Sequence, residues 1–143
     1  MTIGYEATPA EAVLGRLEGA GVSLLVDVRA IAASRRPGMS KRSLAAGLSS
    51  RGIDYLHLRA LGTPKEGRLA ARRGDVRALE RIYAAHFATP EAQGEFAELK
   101  RLVAAGRPLC LLCYERDPHR CHRRFIAEAV TAAPGTPVAH LTA

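Results

Sequence analysis

What most limits the fold of this chain is a pair of short, almost wholly apolar runs set in otherwise amphipathic sequence. Residues 23–29 read Ser-Leu-Leu-Val-Asp-Val-Arg, and residues 109–114 read Leu-Cys-Leu-Leu-Cys-Tyr. Runs of this length, rich in branched side chains, suit strands covered on both faces, as in a parallel sheet. Parallel strands need crossovers, and helical patterns lie between them. Thr8 as N-cap, Pro9 in the first helical position and Glu11 as the partner in a capping box predict a helix that ends near Gly19 to Gly21. Ser40 predicts the cap of a second helix over about 41–51, stopped by Gly52, and residues 53–58 resume strand-like alternation. Helical patterns follow at about 75–88 and 90–105, and a last helix should start at Asp117-Pro118 and run to about Ala132. Further strands are predicted at 2–5 and 137–141, whereas 59–74, rich in Arg, Gly and Ala, reads as a long loop and a candidate lid. The alternation predicts one α/β domain over 1–143: an open, mostly parallel sheet with helices on both faces, in Rossmann-like three layers.

Composition narrows the partners. A chain of 143 residues, 48% apolar and 24% charged, can bury its own core without disulfides or a metal. No apolar run approaches the roughly 20 residues of a membrane span, and the N-terminus does not read as a signal peptide, so no membrane partner is expected. Three cysteines, an odd number, argue against a secreted disulfide framework and for a reducing cytoplasm. The net charge of +7 favours an anionic partner, either a small molecule or a nucleic acid. Codon bias toward Arg and Ala would produce many of the same arginines, so their positions must carry the functional reading.

In open parallel sheets, ligands bind beyond the carboxyl ends of the strands. Tyr5 ends the first strand, and Asp27 and Arg29 close the second ahead of Ser34-Arg35-Arg36-Pro37-Gly38. His57 lies near the end of the third, before Gly62-Thr63-Pro64-Lys65, and Cys113 and Glu115 end the fourth, before Cys121-His122-Arg123. Asp27 and Arg29 share one strand face. They form either a buried ion pair that fixes the next loop, or a site in which Arg29 and Arg35 clamp a phosphate or carboxylate. His57 is either a hydrogen-bonded core residue or an acid/base group.

Cys110-x-x-Cys113 followed by Cys121-His122 has the residue types of a zinc site, but on a strand residues three apart point to opposite faces. Cys110 is therefore expected in the core. Cys113, at a strand end before a helix N-terminus and near arginines, is expected to have a lowered pKa and to act as a nucleophile. His57 or His122 would be its acid/base, with Glu115 and Arg123 as orienting partners. Tyr5, Asp27, Arg29, Arg35, Lys65, Cys121 and Arg123 complete the expected substrate side, and no cofactor is expected. Three other readings stay open: a nucleic-acid-binding module without chemistry that uses the arginines of 59–74 and of the last helix, a small zinc site of Cys113, Cys121 and His122, and a cysteine cluster that only packs and caps.

The same residues resemble the DUF488 family of small prokaryotic proteins, which lacks an established biochemical function. The resemblance rests on Thr2-Ile3-Gly4-Tyr5-Glu6, Leu25-Val26-Asp27-Val28-Arg29, Ser34-Arg35-Arg36-Pro37-Gly38 with Ser40-Lys41, and Gly52-Ile53 with Tyr55 and His57. It continues through Leu61-Gly62-Thr63-Pro64-Lys65, Leu111-Leu112-Cys113, Glu115, Asp117-Pro118, Cys121-His122-Arg123 and Ile126-Ala127. Departures are Ala7, where the family tends to have Gly, and Met39, where it tends to have Phe. The resemblance implies a fold and a candidate site, not a reaction.

Overall fold

The computed structural model describes residues 1–132 and 138–143. In chain order its elements are β1 (Thr2–Gly4), α1 (Ala10–Gly19), β2 (Leu24–Asp27), α2 (Lys41–Ser49), β3 (Asp54–His57), α3 (Lys65–Arg73), α4 (Val76–Phe87), α5 (Pro90–Ala104), β4 (Leu109–Cys113), α6 (Arg123–Thr131) and β5 (His140–Leu141). The strands pair in parallel in the order β3-β2-β4-β1-β5. The two apolar runs become the interior strands β2 and β4, buried at every position.

Side-chain alternation along β4 divides the apolar interior into two layers. Cys110 and Leu112 pack with Val13, Leu14 and Leu17 of α1 and Leu44 and Leu48 of α2. Leu109, Leu111 and Cys113 pack on the opposite face with Tyr83 of α4, Phe96 and Leu99 of α5 and Ile126 and Ala127 of α6. The chain leaves β2 toward the α1/α2 face and leaves β4 toward the α4–α6 face. That reversal opens a crevice beyond the carboxyl ends of β2 and β4.

Four local expectations are corrected. Thr8 is not the cap of α1: Pro9 holds the N-cap position, the Thr8 hydroxyl donates to the Glu6 carbonyl, and Glu11 pairs with Arg51. The cause is a tight turn in which Ala7 adopts φ +55°, drawing the Thr8 amide back to the Tyr5 carbonyl. Ser40 does hold the N-cap position of α2, but its hydroxyl bonds Ser34 and ties the ends of the 34–40 loop together.

The stretch 59–74 is not a loop but a 3₁₀ turn (Arg59–Leu61) followed by α3. Lys, Glu, Arg, Leu and Ala are good helix formers. The buried side of α3 is only Gly67, Ala70 and Ala71, so it carries little hydrophobic signal. The helix expected over 117–132 is interrupted: a 3₁₀ turn (Pro118–Arg120) is followed by Cys121 in extended conformation, φ −133° and ψ 144°, before α6 begins. The first residue of the predicted strand 137–141, Pro137, lies outside the described residues.

Candidate functional site

The crevice is built on a buried ion pair. Asp27, fully buried, receives Arg29 Nε at 2.9 and 3.1 Å, Arg29 Nη2 at 2.7 Å, the Arg29 amide at 3.0 Å and the Tyr55 hydroxyl at 2.6 Å. Arg29 Nη1 donates to the Met39 carbonyl at 2.7 Å and to the Tyr5 hydroxyl at 3.2 Å. Burial opposes the charge on Arg29, but Asp27 outweighs it and holds the guanidinium above its ordinary pKa. One Nη2 hydrogen of the five in the guanidinium is left for a ligand. His57 donates Nε2–H to the Arg29 carbonyl at 2.7 Å, so β3 fixes the backbone that β2 sends into the crevice. At Met39 the contact to Arg29 is made by the main chain, so the Phe-to-Met departure leaves it intact.

At the end of β4, Cys113 Sγ lies 3.6 Å from His122 Nδ1 and 3.7 Å from Glu115 Oε2, and Cys121 Sγ lies 3.8 Å from the same Nδ1. The ligand atoms of Cys113, Cys121 and His122 all lie within 4.8 Å of one another. The extended residue at Cys121 makes this possible, because it turns the sulfur back beneath the strand end. His122 Nε2 contacts the Val28 carbonyl at 2.7 Å. A carbonyl only accepts, so Nε2 carries a proton and Nδ1 is the ring nitrogen that faces the sulfurs.

The loop after β4 is held by Arg123, a fully buried arginine. It donates to the Thr2 hydroxyl at 3.2 Å, the Arg116 carbonyl at 3.1 Å and the Glu115 carbonyl. Gly4 is required beneath the same loop, since a Cβ there would stand 1.8 Å from the Glu115 carbonyl oxygen.

The electrostatics reverse one expectation. Cys113 is held well above the ordinary thiol range by its hydrogen bond to Cys121, then by burial and by the charges on Cys121 and Glu115. For Cys121, burial alone would raise the thiol, but the Cys113 hydrogen bond, His122 and Arg123 outweigh it and pull it well below that range. The two thiols are thus pushed in opposite directions, the deeper sulfur downward. Burial lowers the His122 pKa, yet Cys121 and the Val28 carbonyl raise it further. Glu115 is pushed up to about 7 by burial and by the Cys121 charge. Cys110, on the other face of β4, is pushed up to about 12 by burial and sits in the α1/α2 core.

Cys113, Glu115 and His122 line a cavity of about 960 Å³ together with Tyr5, Thr63, Tyr114 and five arginines: Arg29, Arg35, Arg36, Arg68 and Arg72. Arg35, Arg36, Arg68 and Arg72 have no acidic partner among the described residues. Arg68 is steadied by the Thr63 carbonyl at 2.8 Å. The Thr63 hydroxyl, 3% exposed, has no hydrogen-bond partner among the described residues.

Of the residues singled out in the sequence, Tyr5, Arg29, Arg35, Cys113, Glu115 and His122 meet in this cavity. Asp27, Cys121 and Arg123 stand behind them as buried supports, and His57 is set apart with its ring nitrogen on the Arg29 carbonyl. Lys65 is exposed at the start of α3 and does not reach the cavity. Sequence reasoning reached Thr63 only as part of a turn, and Arg68 and Arg72 only as arginines of the 59–74 stretch available to a nucleic acid, not as members of this site. The signal was present, since Arg68 and Arg72 are spaced i, i+4, but it has meaning only on a helix.

An α/β chain with a thiol–imidazole cluster under an arginine-rich cavity at the carboxyl rim is the class of protein that fold and site define. The chain belongs to the DUF488 family, described as a domain of unknown function, whose sequence profile matches residues 9–130. The matched span contains the whole Cys/Cys/His cluster but not residues 2–6. Comparison with curated proteins and with solved structures returns no match.

Proposed function

We propose that this chain is an enzyme that binds a phosphate-bearing or similarly anionic substrate in the arginine-lined cavity and transfers a group from it to Cys113. The observation that carries the reading is the convergence of five guanidinium groups and one carboxylate over a buried dithiol–imidazole cluster. Guanidinium groups without acidic partners suit phosphate and carboxylate oxygens.

In the metal-free cluster Cys121 carries the thiolate and Cys113 the proton, while Cys113 is the sulfur that lines the cavity. Attack therefore begins with passage of the Cys113 proton to the Cys121 thiolate. The Cys113 sulfur then forms a bond to the transferred group as the bond to the leaving group breaks. The leaving group takes a proton from Glu115, whose raised pKa keeps it partly protonated near neutrality. His122 holds the negative charge of the pair in place.

Alkylation tests the reading. Metal-free, reduced protein is treated with iodoacetate or with the neutral iodoacetamide, and the labelled residue is mapped by mass spectrometry. Cys113 is expected to react with the anionic reagent faster, relative to free cysteine, than with the neutral one. Inorganic phosphate should protect it, and Arg35→Ala with Arg72→Ala should abolish both effects. Equal relative rates without phosphate protection would overturn the proposal.

A further inference from the structure

We infer that Cys113, Cys121 and His122 form a zinc site whose fourth position opens into the arginine-lined cavity. Zinc prefers tetrahedral sites with Zn–S of about 2.3 Å and Zn–N of about 2.0–2.1 Å, so the ligand atoms stand about 3.6 Å apart for S···N and about 3.8 Å for S···S. The two S···N separations here are 3.6 and 3.8 Å, and the S···S separation is within 4.8 Å. Small side-chain rotations close the triangle around one ion.

The surroundings fit a metal site in three further respects. Metal-bound histidines usually donate the other ring N–H to a carbonyl or carboxylate, which orients the ring, and His122 Nε2–H does this to the Val28 carbonyl at 2.7 Å. The three ligand residues are all buried, and on the side away from the cavity the Tyr83 ring packs 5.2 Å from the His122 ring. Two thiolates and a neutral imidazole also balance the charge of a divalent ion, and thiolate-rich tetrahedral sites favour zinc over harder cations.

Two of the three ligands, Cys113 and His122, line the cavity, whereas Cys121 lies beneath them. The uncovered vertex of the tetrahedron therefore faces the arginines. Glu115, 3.7 Å from Cys113 Sγ, stands at its edge. Three protein ligands with an open vertex characterise a zinc ion that engages a ligand rather than one that only braces the fold. The ligand that suits both the ion and the guanidinium groups is an oxyanion such as phosphate. This inference shares the cluster with the proposed function but not the role of the thiols. With the ion bound both sulfurs are ligands, and attack by Cys113 belongs to the metal-free chain.

Cobalt(II) is the probe. Titrated into the reduced, metal-free full chain, it is expected to bind one equivalent, with thiolate-to-cobalt charge-transfer absorption and visible bands of tetrahedral intensity that zinc abolishes. Cys121→Ser and His122→Ala should each weaken binding by more than about 100-fold, beyond the loss typical of outer-shell changes. In the wild-type chain, where folding is not in question, zinc should block alkylation of Cys113 and Cys121. Inorganic phosphate should shift the visible cobalt bands, and Arg35→Ala with Arg72→Ala should suppress the shift.

Failure of the folded wild-type chain to develop the thiolate–cobalt absorption overturns the zinc site. If the bands form but phosphate leaves them unmoved, the open vertex is not in the cavity. A chain that takes no metal yet shows phosphate-protected labelling of Cys113 overturns this inference alone. A chain that binds cobalt but lacks that labelling when metal-free overturns the proposed function alone.

Discussion

Asp27 lies inside the most apolar run of the chain, and its carboxylate is tolerable there because every neighbour is a donor. Arg29 reaches it through Nε, Nη2 and its own amide, and Tyr55 adds a hydroxyl at 2.6 Å. Removing one partner of a buried pair leaves the other charge uncompensated, at about 3–5 kcal/mol. Asp27→Asn is therefore expected to lower unfolding stability by about 3–5 kcal/mol in urea denaturation. The double variant Asp27→Asn with Arg29→Met should recover part of that loss, because no charge is then stranded. Much of this was legible in advance: strand parity alone set Asp27 beside Arg29. Parity could not show that four of the five guanidinium hydrogens are taken up, because two of their acceptors, the Met39 carbonyl and the Tyr5 hydroxyl, come from other segments. Nor could sequence position show which of the two clustered sulfurs holds the charge. That depends on which sulfur has His122 and Arg123 beside it, and it is the fold that sets Cys121 among them.

At the scale of elements, legibility followed the strength of the apolar signal. β2 and β4 declared themselves, and so did the helical pattern of α5, at whose start the Thr89 hydroxyl accepts from the Ala92 amide. α3 did not, since a helix that buries glycine and alanine looks like a polar loop until its partner α4 is in place. The break at Cys121 left no trace either, because Asp117 and Pro118 are equally good openers for a 3₁₀ turn and for an α-helix.

The shortest strand, β5, carries a pH-dependent prediction. Thr2 Oγ1 accepts Arg123 Nε–H and can then give its own proton only to Nδ1 of a neutral His140. Burial, then the charges on Arg123, His119 and the N-terminus, keep His140 below the ordinary histidine pKa. The unfolded chain thus binds a proton more readily than the native one, and stability is lost as pH falls below about 6.5. His140→Gln, which does not titrate, should shrink the fall in urea midpoint between about pH 8 and pH 5.5, relative to wild type. An unchanged or larger fall would contradict the assigned direction.

For the whole molecule, the net charge of +7 is a sum that says nothing about place. Codon bias and a binding site produce the same total. The fold separates them by concentrating five arginines on one cavity, while others, such as Arg51 and Arg101, pair with glutamates at the surface. Charges in a cleft focus the field on a ligand, whereas an exposed charge more than a Debye length away, about 8 Å at physiological salt, is largely screened. Arg35→Ala and Arg101→Ala each lower the net charge by one unit, so the pair of variants distinguishes place from total. Loss of one charge-assisted hydrogen bond, worth about 1.5–3 kcal/mol, should weaken pyrophosphate binding to Arg35→Ala by about 10- to 100-fold in isothermal titration calorimetry. Arg101, 77% exposed and beside Glu98, should change it by less than about twofold, in keeping with the small worth of a surface ion pair. Equal losses in the two variants would mean that pyrophosphate responds to overall charge and that the cavity is no anion site. The same titrations in rising salt check the origin of the affinity, because attraction that is focused in a cleft weakens as the Debye length shrinks to about 3 Å at 1 M.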